Sequence, residues 1–498
     1  MSFFRSKWAQ LAALVIFLSV IGIHALHLKY AVRDPDLFWH LKVGDWIVQH
    51  SSVPHTGILS RTAVQMPWVA YSWGYEVLLS SCYSIGGLMG VGIFGVALTV
   101  LVAFFLYGML YRLSGRFWLS SILAAVACSA FLFNGMPRPM FLSEMLYAVT
   151  LALLLEAQRL ARIRILCWLP LVFLPWANLH IQFIYGLFAV GLFAGINLLQ
   201  RIVAGLKLQS DRLLPPVLPL NSLLLVFALC VAATFLGPNF YKPYLVVLSY
   251  SKAKFTYSVI SELQPLTFRG YSHFAELFLA AAGFYAVGWR KKLDLFKLAL
   301  LAFAAVVAFR TMRDAWFLCF SAAACVADYS EERPAVEAST HSWPEFAMAT
   351  TAVLLLLLIA APATDFNMRA IDRSISADYP VNAINFLRRQ PVHGPLYNNL
   401  TWGGFLMWYL PELPVAVDGR NDLYGDDLDR LFYESESGFP SYSTDPYLDQ
   451  SGVVILDAKL PLAKLLTIDP RFTLVYHDDI ATVFARRNST QANSASQP

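Results

Sequence analysis

Long apolar runs recur from residue 8 to residue 361, broken by short polar turns. The runs are continuous rather than alternating, so they read as helices and not as the short alternating strands of a membrane barrel. They predict spanning helices over residues 8–28, 91–111, 117–133, 140–158, 165–179, 183–199, 218–236, 274–289, 293–309, 315–327 and 346–361. That makes about eleven, several near the lower length limit for a span.

Beyond residue 361 the pattern changes to short mixed segments. Residues 382–389 and 460–468 read as helices, and 395–398, 414–418 and 452–457 as strands. Residues 472–476 and 480–485, joined by His-Asp-Asp, read as a hairpin. The expected organisation is a polytopic α-helical membrane domain over 1–362 with a long first loop at 29–75. A soluble α/β domain over 363–487 follows, then a Ser/Asn/Gln-rich tail over 488–498 expected to be disordered. Residues 328–345 read as a polar linker.

Composition agrees with a membrane protein: 57% of residues are hydrophobic and 14% charged, against about 25% charged in soluble domains. The basic N-terminus before the first apolar run has no small-residue cleavage site after it, so an uncleaved first helix is expected. All six cysteines lie in or beside apolar segments without metal-ligand spacing, and read as small core residues.

The net charge of +4 says little, but its distribution sets an orientation. Arg5 and Lys7, Arg112 and Arg116, Arg159 to Arg164, Arg201 to Arg212, and Arg290 to Lys292 all fall on one side if the helices alternate. By the positive-inside rule that side is the cytoplasm. The first loop and the C-terminal domain are then expected to be external, and the chain to be a multi-pass membrane protein with a cytoplasmic N-terminus.

The first loop opens with R-D-P-D-L-F-W-H-L, which places Asp34, Asp36 and His40 directly after a membrane helix. Residues 36–50 have helical apolar spacing with Trp39 and Trp46, which suits an amphipathic helix in the membrane interface. A second surface or re-entrant helix is expected to end at Gly86-Gly87. The loop 237–272 carries Lys242, Lys252, Lys254 and Arg269 against the positive-inside pattern, for an anionic group or simply as solvated charges.

These residues resemble the GT-C superfamily of membrane glycosyltransferases. The likeness lies in the basic N-terminus, one helix and a long external loop opening with an acidic pair. It extends through D-P-D-L-F-W-H-L-K-V-G-D-W-I, P-W-V-A-Y-S-W-G-Y-E-V-L-L, M-P-R-P-M-F-L-S, W-A-N-L-H-I-Q-F and A-V-D-G-R-N-D-L-Y-G, which look like the bacterial branch related to protein-mannosyl and lipopolysaccharide-sugar transferases. The resemblance implies inverting transfer of a hexose from a polyprenyl-phosphate carrier to an extracytoplasmic glycolipid, polysaccharide or protein. Such a reaction needs a carboxylate base and cationic or metal help for the departing phosphate.

By resemblance, Asp36 or Asp34 supplies the base. Asp36 is preferred because it directly precedes the amphipathic helix; its alternative role is to cap that helix. The D-x-D spacing with His40 would also suit a divalent cation, Mg or Mn. His180 and Asn178 could face one cavity and bind sugar or phosphate. Arg138, between two prolines, suits phosphate and could instead pair with Glu144. Arg310 or Arg313 is expected at the carrier phosphate, with Arg313 preferred. Lys242, flanked by aromatic residues, could contact phosphate or sugar, and Glu262 reads as a loop partner of Lys252 or Lys254. The D-G-R-N-D-L-Y-G stretch reads as a structural turn. Two other functions fit the composition. One is a transporter or flippase of lipid-linked sugar, which the lack of a visible repeat disfavours. The other is a non-catalytic membrane scaffold.

Overall fold

A computed structural model describes residues 6–27, 31–131, 136–207, 211–329, 343–390 and 392–487. The end of the third predicted span, most of the 328–345 linker and the 488–498 tail lie outside the described residues.

Every predicted span contains a helix, but most are short. Lys7–Ala25, Trp73–Ser114, Met140–Leu160 and Phe183–Gly205 are long and apolar enough to cross a membrane, or five spans if one bent pair counts. Phe117–Phe131, Leu220–Thr234, Leu295–Arg310 and Ala315–Ala327 run only 13 to 16 residues. At about 1.5 Å per residue such helices fall short of a hydrocarbon layer of roughly 30 Å. By length and composition the count of eleven is therefore not reached among the described residues.

The chain forms two compact units that interleave along the sequence. The first comprises Met1–His27, Gly92–Tyr241 and Val259–Phe366, and the second Leu28–Val91, Lys242–Ser258 and Asn367–Pro498. The first unit is helical, with Ala315–Ala327 at its centre, packed by Tyr271–Gly288, Leu295–Arg310 and Phe117–Phe131. Every residue of that central helix except Val326 is buried. An apolar helix buried all round is a core helix. Its rings Trp316, Phe317 and Phe320 stack around Tyr147, whose hydroxyl bonds Ser321 at 2.8 Å.

In the second unit the first loop folds together with the C-terminal residues. Leu37–His50 is the expected amphipathic helix, but its apolar face meets protein rather than a membrane interface. Phe38 is fully buried against the rings of Phe405, Tyr379 and Tyr409, with centroids at 5.1, 5.5 and 5.7 Å. The next helix, Trp73–Ser114, breaks at Gly87, whose φ of 57° glycine adopts without a Cβ clash.

A four-stranded sheet completes this unit, in the order β1 (Leu396–Asn398), β2 (Val453–Asp457), β4 (Ala481–Arg486), β3 (Phe472–His477). β1 pairs parallel with β2; β2–β4 and the β3–β4 hairpin are antiparallel. The strand expected at 414–418 does not join this sheet. Its backbone groups are taken elsewhere: Val415 bridges Ser60, Ala416 O accepts from the Ser60 and Thr62 hydroxyls, and the Asn398 amide binds Ala416 N and Val417 O.

Candidate active site

The two aspartates of the first loop lie two residues apart in the second unit and are used differently. Asp34 is buried, and its Oδ1 accepts the backbone N–H of Asp36 at 3.1 Å. Its carboxylate thus holds the turn into the helix. Asp36 is half-buried at the N-cap position, but its side chain makes no cap hydrogen bond. Asp36 Oδ1 instead accepts the Trp39 indole N–H at 2.9 Å. The capping role considered for Asp36 is therefore not the one its side chain plays.

His40 turns away from this pair. Its Nδ1 lies 3.2 Å from Glu76 Oε1, both residues buried. Among the described residues no three His, Cys, Asp or Glu side chains are gathered to hold a metal ion. Asp34, Asp36 and His40 thus do not fit the expected cation site, since each is engaged with a different partner. Glu76 is a site residue that the sequence reading passed over. Its signal was a single carboxylate inside the apolar W-G-Y-E-V-L-L stretch.

The D-G-R-N-D-L-Y-G stretch comes directly against Asp36. A Cβ at Gly419 would lie 2.0 Å from Asp36 Oδ1 and 3.2 Å from Trp39 Nε1. Flanking that glycine, Asp418 and Arg420 form a sealed bidentate pair, Nε–Oδ1 2.8 Å and Nη2–Oδ2 2.7 Å, both side chains fully buried. Tyr424 OH also donates to Asp418 at 2.5 Å, and Arg420 Nη2 reaches the Ile58 carbonyl at 2.9 Å. The guanidinium stacks over Trp68, 4.8 Å from the ring centre, and the Trp68 indole donates to Asp422 at 3.0 Å. Burial lowers the affinity of Arg420 for its proton, but Asp418 outweighs it and the guanidinium stays charged. The structural-turn reading of this stretch holds, with Asp36 as a neighbour that the sequence did not foretell.

Burial also raises the carboxyls around this turn. Asp422 is pushed up to about 7, with the Trp68 N–H and Arg420 opposing the shift. Asp429 rises to about 8 through burial and then the charges of Asp426, Asp422 and Asp418. Glu436, which accepts Leu400 N, is raised by burial to about 8.

The first unit gathers a different group. Arg138 Nη1 and Arg313 Nε meet on one carboxylate, Glu262, at 2.5 and 3.5 Å. Arg138 thus pairs with Glu262 and not with Glu144. Glu144 is fully buried, and neither of its carboxyl oxygens has a hydrogen-bond partner. Glu262 likewise takes the two arginines in place of Lys252 or Lys254. Burial alone would raise the Glu262 carboxyl, but Arg313 and then Arg138 hold it down at about 2. The turn bearing Arg313 is fixed from behind: Asp314 accepts the Thr311 hydroxyl at 2.6 Å and the Gln182 amide at 3.1 Å, and Met312 N binds Gln264 O at 3.0 Å. Two guanidinium groups on one carboxylate leave a net positive charge, partly open to solvent.

Other expected residues separate. His180 is buried, its Nδ1 2.9 Å from Ser143 Oγ, to which Trp176 also donates. Asn178 donates to the Leu174 and Leu236 carbonyls at 2.9 and 3.1 Å. Arg310 ends the Leu295–Arg310 helix exposed. Lys242 begins the Lys242–Lys252 helix, which belongs to the second unit.

No family model and no curated protein matches the chain. Among solved structures it is similar to the archaeal oligosaccharyltransferase AglB from Archaeoglobus fulgidus, in complex with an inhibitory peptide and a dolichol-phosphate. The TM-score is 0.55 at 14% identity, over 92% of this chain and 70% of that one. The apo form of the Archaeoglobus fulgidus oligosaccharyltransferase gives 0.54 at the same identity and coverage. ArnT from Cupriavidus metallidurans, bound to undecaprenyl phosphate, gives 0.48 at 13% identity, over 97% of this chain and 99% of that one. The chain shares the fold of the archaeal oligosaccharyltransferase.

Proposed function

We propose that this chain is a glycosyltransferase that moves a sugar from a polyprenyl-phosphate carrier to an acceptor outside the cytoplasm. Asp36 carries the reading. It is a half-buried carboxylate at the head of a helix that makes no side-chain cap bond and accepts the Trp39 indole N–H, whereas Asp34 is buried and holds the backbone. In this reaction an acceptor hydroxyl attacks the anomeric carbon as Asp36 takes its proton. The bond from that carbon to the carrier phosphate breaks on the opposite face, and its electron pair leaves with the phosphate, inverting the centre.

The first unit separately offers Arg138 and Arg313, whose net positive charge suits a lipid-borne phosphate. AglB, whose fold the chain shares, is described with a dolichol-phosphate. The distribution of basic loops supports an outer-side position for Asp36 and the C-terminal residues in a bacterial inner membrane. Sugar and acceptor, whether glycolipid, polysaccharide or protein, are left to experiment, and no step is assigned to a metal. Deletion of the gene should remove one sugar from the envelope glycans or glycolipids profiled by mass spectrometry. Asp36→Asn should fail to restore it, with a loss of about 10²–10⁴-fold expected for a general base. Full restoration by a normally inserted Asp36→Asn variant would falsify the assignment of the base.

A further inference from the structure

We infer that the Val417–Arg420 turn, through Gly419, is the positioning element for the Asp36 carboxylate. This rests on the reading of Asp36 as the base. Three observations carry it. First, the glycine leaves no slack: a single added methyl carbon would overlap Asp36 Oδ1 at 2.0 Å and crowd its Cγ at 3.3 Å. Contacts under about 3 Å between such atoms are repulsive, so the glycine backbone forms a wall beside the Asp36 carboxylate, and a side chain at 419 would force that carboxylate to move.

Second, the wall is rigid. Asp418 and Arg420, on either side of Gly419, are locked in a fully buried bidentate pair, which Tyr424 and the Ile58 carbonyl extend. The preceding residues are held by the Asn398 amide and by the Ser60 and Thr62 hydroxyls. A Cβ at Gly403 would lie 2.0 Å from Val417 O and 2.5 Å from Asp418 Cα, so the Gly403 backbone packs directly on the turn. Third, the Trp39 indole holds Asp36 Oδ1 from within its own helix, 2.9 Å away, and Trp39 Nε1 is the next atom that a Cβ at 419 would meet. Indole and glycine thus fix one carboxylate oxygen between them.

The C-terminal segment therefore does more than cover the first loop: it sets the geometry of the base. Positioning acts steeply, since a misplacement of about 1 Å can cost roughly 10²-fold in rate. Gly419 touches neither substrate nor reacting atom and works only through Asp36.

The test uses the full-length chain in the deletion strain and in purified membranes. Gly419→Ala should lower the restored envelope product at least about tenfold. In the same membranes, a water-soluble carbodiimide with glycine methyl ester labels carboxyls, and peptide mass spectrometry follows Asp36 across pH. Gly419→Ala should displace the Asp36 labelling midpoint by about one pH unit, a shift that a merely structural glycine would not produce. A Gly419→Ala protein that accumulates normally, restores wild-type product and leaves the Asp36 midpoint unchanged overturns the inference. If that variant does not accumulate, Tyr424→Phe decides instead. Loosening the turn at Asp418 should cut product about threefold and move the Asp36 midpoint, and wild-type values of both overturn the inference. Asp36→Asn separates the two readings. Its full activity removes the base itself, whereas its inactivity beside an unaffected Gly419→Ala removes only the positioning role.

Discussion

Arg420 with Asp418 in the second unit, and Arg138 and Arg313 with Glu262 in the first, are both guanidinium–carboxylate groups, but their surroundings differ. The first pair is fully buried, its bonds closed on Tyr424 and the Ile58 carbonyl. The side chains of the second group are 22%, 33% and 34% exposed. A sealed pair cannot exchange its carboxylate for a substrate anion without leaving a charge unpaired in the interior, so it serves as scaffold. An open pair with one carboxylate between two arginines can admit a phosphate at small cost. Identical side-chain chemistry is thus divided by burial into a frame for Asp36 and a candidate anion seat.

That comparison breaks most visibly at Arg420. Arg420→Ala strands Asp418 in the interior and should cost about 3–5 kcal/mol, read by thermal unfolding of the purified full-length protein. A variant as stable as wild type would mean that the pair is no frame. The open group should behave the other way round. Arg138→Ala with Arg313→Ala should lower envelope product by about 10²-fold, yet cost only roughly 0–1 kcal/mol of stability per pair. Large destabilisation with undiminished product would recast the pair as structural.

A smaller effect is expected from pH. Asp422, Asp429 and Glu436 have folded values of about 7, 8 and 8 against ordinary values of 3.8, 3.8 and 4.5. Raised acids favour the folded state most below their unfolded values, and that contribution is lost as pH rises through 7 to 8. Glu262 runs in the opposite sense: its value of about 2 keeps its ion pairs intact above its ordinary 4.5, and they are lost only as pH falls toward 2. The unfolding temperature should therefore fall between pH 6 and pH 9, and replacing Asp422 and Asp429 by Asn should flatten that slope. The smallest effect belongs to Arg310→Ala. An exposed arginine at a helix end should change stability by no more than about 0.5 kcal/mol. Product within twofold of wild type would leave the phosphate role to Arg313, and a loss equal to that of Arg313→Ala would transfer it.

Much of the local structure was legible because it depends on short-range pattern. Continuous apolar runs located a helix at every predicted span, the two glycines marked the break at Gly87, and alternation with His-Asp-Asp marked the β3–β4 hairpin. Span number was less legible, since apolarity does not distinguish a membrane-crossing helix from a buried core helix such as Ala315–Ala327. The segment 414–418 looked like a strand because its composition suits one, but partners far away in the chain took its backbone bonds.

The sequence by itself determined the apolar helical pattern of a membrane protein, the amphipathic helix behind Asp36, and the residue types from which base and phosphate seat are proposed. Tertiary structure alone decided their company. It paired Arg138 with Glu262 across 124 residues, turned His40 to Glu76 and His180 to Ser143, and set Gly419 against Asp36. Those choices depend on which distant backbone can approach within van der Waals contact and which charges remain buried when it does. A linear pattern records each residue's preference for such surroundings, but the neighbour that satisfies it is fixed only when the chain closes on itself.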